Sequence, residues 1–139
     1  MRVVFILLCI FTTLARADEY IDLVALDYFA YADEISRLEG GITHKRYSAA
    51  SVAFAEAEDM ATANVALNEF QYLAYRGSVG SAVRLCTILG LGVKVKIDLS
   101  IGLRWCHAAA SQGAEATVDI ANYAIDKFYA EHPDYDFVP

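Results

Sequence analysis

Apolar side chains recur every three to four positions along most of this chain. Ile21, Val24, Ala25, Tyr28, Phe29, Ala32 and Ile35 form one stripe that stops before Gly40 and Gly41, and such spacing places them on a single helical face. Further helices are expected at about 45–57 and 61–75, both dense in alanine, which favours helix and lets neighbours approach closely. Gly77 and Gly80 interrupt the pattern. A fourth helix is expected at about 81–89, followed by a loop holding Gly90 and Gly92. A fifth, at about 99–111, should end at Gly113, and a sixth, at about 115–130, before Pro133. Val93–Ile97 alternates apolar and charged residues as a half-buried strand would. With no second alternating run to pair with, it reads as an extended loop. Six helices joined by short glycine-bearing turns predict an all-α fold of stacked antiparallel hairpins, an α-solenoid in which neighbours close one another's core.

The start of the chain breaks this rhythm. Met1 and Arg2 precede the apolar run Val3–Leu14, and Ala15-Arg16-Ala17 supplies small residues before a cleavage point. That is the organisation of a secretory signal peptide. The run is shorter than the roughly twenty residues needed to span a bilayer as a helix. An uncleaved anchor is the alternative reading. The expected division is therefore a signal peptide at 1–17, a helical domain at 18–131 and a tail at 132–139, with a secreted or periplasmic location and no stable membrane span after cleavage. Cleavage removes two basic residues from a chain whose formal charge is already −7. Such an acidic balance excludes nucleic acid as an expected partner, since binding a polyanion needs a basic footprint.

The segment between two glycines is more specific. Gly77 is followed by Ser81, Leu85, Leu89 and Gly92, then by Val95 and Asp98 in a valine-x-x-aspartate spacing. Gly102, Trp105, Ala109-Ala110 and Gln112-Gly113 complete the run. It resembles a Sel1-like repeat, a tetratricopeptide relative of about 36 residues. Three positions depart from that pattern: Cys86 replaces a glycine, Leu89 a common tyrosine and Lys94 a loop glycine. Ala66, Ala74 and Gly77 read as the degenerate end of an earlier repeat, and 114–129 as the start of a later one. Asp98 is placed to cap a helix. Gly102, Ala109 and Ala110 let helices approach, Trp105 fills the remaining groove, and Gly113 ends the helix. The resemblance implies a protein-binding scaffold, often in bacterial export or envelope regulation, rather than an enzyme.

Loss of Cys9 with the signal would leave Cys86 and Cys106. In antiparallel helices both sit at similar height above the intervening loop, so a bridge would clasp one repeat. Two buried free thiols are the alternative. Cys106-His107 is a poor catalytic pair, because adjacent helical residues point about 100° apart. His44, His107 and His132 lack zinc-ligand spacing, Glu56, Glu58 and Asp59 lack the spacing of a calcium loop, and Gly90-Leu91-Gly92 lacks the third glycine and preceding strand of a phosphate cradle. No cofactor or metal is expected.

Partner binding is sought at Tyr28, Tyr31, Tyr72 and Tyr75. The first two stand among Asp27, Asp33 and Glu34, a combination that also reads simply as core aromatics beside surface acids. The expected function is an exported, non-enzymatic adaptor that receives another protein or peptide, basic or amphipathic, on the concave side of its hairpins. Two other readings stay open: a small secreted or periplasmic hydrolase of the cysteine-bearing Sel1-repeat type, and a structural fragment of a longer repeat protein.

Overall fold

The computed structural model describes residues 23–134. The expected signal segment and the last five residues of the expected tail lie outside the described residues. Within them the chain is all helical: α1 (23–39), α2 (Gly41–Glu56), α3 (Met60–Tyr75), α4 (Val79–Leu91), α5 (Leu99–Ser111) and α6 (Thr117–Glu131). Successive helices pack against one another, and α6 also reaches back to α4.

α4 is the centre of the molecule, with every residue from Gly80 to Leu91 buried. Its small and apolar composition permits this, since only Arg84 carries charge and it is neutralised. Arg84 Nη2 lies 3.0 Å from Asp33 Oδ1 on α1, and its Nε donates to Tyr47 Oη of α2 at 2.9 Å. The guanidinium also stacks over the Phe29 ring at 4.1 Å. Burying an unpaired guanidinium would cost several kcal/mol, so α1, α2 and α4 are held in one register. Burial also pushes the Tyr47 phenol well above its ordinary pKa, and its hydrogen bond to Asp33 adds to that shift.

Two glycines expected to break helices lie inside α4. A Cβ at Gly80 would meet Ala32 O of α1 at 2.7 Å, and one at Gly102 of α5 would meet the Gly90 amide nitrogen at 2.7 Å. Gly80 is thus where α1 crosses α4, and Gly90 faces Gly102 where α4 and α5 nearly touch. This explains why α4 extends beyond the expected 81–89 at both ends. α2 starts at Gly41 rather than near 45, because the turn at Gly40 and Gly41 has positive φ and His44 already donates to Gly40 O.

The turns are closed by local bonds. At Gly77 and again at Gly113, the glycine amide bonds a carbonyl three residues back and the next amide bonds one five back, which is a Schellman closure. Asp59 and Asp98 accept from the amides three residues on, capping α3 and α5. Glu39 of α1 caps a different helix, accepting from the Val79 amide and the Ser78 hydroxyl at the start of α4. Residues 93–97 form no strand, and Val95 turns into the core as the loop reading expects.

Candidate functional site

Cys86 Sγ and Cys106 Sγ are 2.10 Å apart, a disulfide joining α4 to α5 with Cα atoms 4.7 Å apart. Both cysteines are buried. Next to this clasp Gly102 admits the Gly90 backbone, Leu85 is fully buried, and Ala109 is buried with Ala110 half-buried beside it. Trp105 is half-buried, in contact with both apolar clusters of the core. The indole meets Tyr75 of α3 edge-on, with ring centroids 5.0 Å apart.

The four tyrosines expected to bind a partner are not brought together. Tyr31 packs against the larger apolar cluster and Tyr28 against the smaller. Tyr72 lies between α2 and α3 with the Arg46 guanidinium 4.3 Å above its ring and Arg76 at 5.6 Å. Tyr75 alone stands free in outline, 81% exposed apart from its edge on Trp105.

α1 decides which surfaces are open. It runs antiparallel to α4, with Glu39 at the start of α4, Asp33 at Arg84 and Ala25 in the cluster that holds Leu91. It also meets α2 through Phe29 on Phe54, 6.3 Å between centroids, and Ser36 on His44. One side of α2 and α4 is therefore filled by the chain's own first helix. On α4, Leu89 points about 180° away from Gly80. There the molecule opens into a groove between α3 and α5.

This groove consists of two adjoining cavities, of about 410 and 400 Å³, that share Gln71 and Ile101. One end is bounded by Met60 and the loop Val95–Asp98, the other by Tyr75, Trp105 and Ala108. Met60 and Ile101 are 53% and 40% exposed. Lining positions on α5 fall at 101, 104, 105 and 108, one helical stripe turned away from the core stripe. Ile101, Arg104, Lys96 and Met60 were not among the expected site residues. The signal for Ile101 and Arg104 is this second stripe on α5, while Met60 on α3 and Lys96 in the loop carry no such periodicity.

A third cavity, of about 290 Å³, brings an acid, a base and hydroxyls together: Asp33 of α1 with His44, Ser48 and Ser51 of α2. Ser36 Oγ lies 3.2 Å from His44 Nδ1. Ser36 is fully buried, however, and Asp33 Oδ1 is engaged by Tyr47 and Arg84. A nucleophile must reach its substrate and its base must be oriented by a third group, and this arrangement meets neither need. Ser51 Oγ is the one buried side-chain polar atom without a partner among the described residues. No group of three or more potential metal ligands occurs among them, and no described helix is long and apolar enough to cross a membrane.

Comparison of the chain with protein-family models, with curated proteins and with solved structures finds no match.

Proposed function

We propose that this protein is an exported helical scaffold that docks another protein in the groove between α3 and α5. The observation that carries the reading is the exposed apolar edge of Tyr75, Ile101 and Met60 beside the half-buried Trp105, on a molecule whose α2 and α4 are covered on another side by α1. Apolar clefts with a few convergent polar groups are the surfaces on which peptides and helices anchor. The disulfide across α4 and α5 supports an oxidising compartment, in keeping with the signal-like residues 1–17. The likeness to a Sel1-like repeat supports the same role, and the Schellman turn at Gly77 that returns at Gly113 is in keeping with it.

The test is affinity capture from envelope or medium fractions with the intact chain and with Ile101→Asp, identifying what each retains. A partner held by wild type and lost by the folded variant supports the scaffold. Recovery of no protein, together with turnover of a small ester or amide that Ser36→Ala or His44→Ala abolishes, would replace it with the hydrolase reading.

A further inference from the structure

The two walls of the groove differ in chemistry, and this specifies its occupant further, on the premise that the groove docks a protein. The α3 wall sets three side-chain amides, Asn64, Asn68 and Gln71, between Met60 and Tyr75. None of the three has a hydrogen-bond partner among the described residues. An amide side chain offers both donors and acceptor, as a peptide group does. Residues three and four apart on a helix stand about 5–6 Å from one another, near the roughly 6.7 Å between alternate residues of an extended chain. The amides thus form a ladder that matches a strand-like backbone. A helical ligand has already bonded its own.

The opposite wall supplies cations. Arg104 lines one cavity and Lys96 the other, and neither makes an ion pair among the described residues. The lining holds one carboxylate, Asp98, which accepts the Ile101 amide as a helix cap. In a chain of net charge −7, two cations against one carboxylate make the lining of this groove locally positive. α3 is about 23 Å long at 1.5 Å per residue, the length of about seven extended residues.

We propose that the α3–α5 groove takes an extended acidic segment of a partner protein, about seven residues long. Its backbone pairs with Asn64, Asn68 and Gln71, a large apolar side chain rests on Tyr75 and Trp105, and carboxylates meet Arg104 and Lys96. The long-range field of the acidic surface disfavours such a segment, so its binding strengthens as moderate salt screens that repulsion and weakens again as salt reaches the contact pairs.

The test uses the intact, disulfide-bonded chain and a fluorescent seven-residue peptide with a central phenylalanine and two aspartates, followed by anisotropy. Control peptides carry lysine for aspartate or serine for phenylalanine. Wild type should bind the acidic peptide at least tenfold more tightly than either control. The exposed substitutions Arg104→Glu and Lys96→Glu should reverse the charge preference, and Asn68→Ala should weaken every peptide severalfold, with circular dichroism unchanged in each case. Equal affinity for aspartate and lysine peptides in the folded protein overturns the acidic occupant. A gain of helical signal on complex formation overturns the extended one. A captured partner that Ile101→Asp releases but Arg104→Glu does not would remove the charge specificity and leave the docking role standing.

Discussion

Lys94 occupies a left-handed backbone conformation, φ 57°, at the loop position where the repeat resemblance expects glycine. The backbone has kept the shape that glycine adopts freely, and the side chain is put to use. Its ammonium donates to the carbonyls of Phe54, Ala55 and Ala57 at 2.7–3.1 Å, capping the C-terminus of α2 from the far side of the chain. A cation at a helix C-terminus also complements the dipole. Lys94→Met keeps the strain and loses the cap, so it should lower stability by about 1–3 kcal/mol in urea unfolding. Lys94→Gly should fall between the two, because it loses the cap but relieves the strain. Tyr47 makes a second prediction. Its folded pKa is raised by burial, so the neutral phenol is the stabilised form. That contribution is complete below the ordinary phenol value of about 10 and fades as pH rises beyond it, since unfolding then releases a proton. Thermal midpoints should therefore drop above about pH 10, and Tyr47→Phe should flatten that slope. The residue pattern left these roles hidden: a lone lysine or tyrosine has no periodicity to betray a partner some forty positions away.

Helices were legible where burial is one-sided. The α1 stripe, the Asp98 cap and the Gly113 stop were legible in the pattern, and hairpin geometry set Cys86 and Cys106 level, where a bridge stood against two free thiols. α4 was misjudged at both ends, since a helix buried on every side shows no stripe and its glycines look like breaks. Gly80 is instead where the α1 backbone comes too near for a Cβ, and Gly90 is the backbone that leaves no room for one at Gly102. Gly102→Ala should accordingly destabilise the hairpin by about 1–3 kcal/mol, as an overpacked core position does, visible as a lowered urea midpoint with unchanged slope. The disulfide closes a sequence separation of 20 residues, and chain-entropy arguments give such a loop on the order of 3 kcal/mol. Cys86→Ser with Cys106→Ser should lose about that much. Both thiols should resist alkylation in the native oxidised protein and appear only after reduction.

At the scale of the whole molecule, all-α hairpin packing was readable, but the placement of α1 was not. Periodicity shows that α1 has a buried face without saying which helices bury it. That placement covers one side of α2 and α4 and leaves the α3–α5 groove open. Removing residues 1–39 should bare Arg84, Phe54 and Phe70 together, with increased binding of a hydrophobic dye and loss of cooperative melting. The same arrangement bears on how the chain comes to be folded. Asp33 and Arg84 are 51 positions apart, so a polypeptide made from its amino end presents α1 well before the helix it rests on exists. Until α4 emerges, the first three helices have a shared apolar side and no lid for it. Nascent chains halted before α4 should be protease-sensitive and ready substrates for holding chaperones, and those extended past Ser111 should become resistant in a single step.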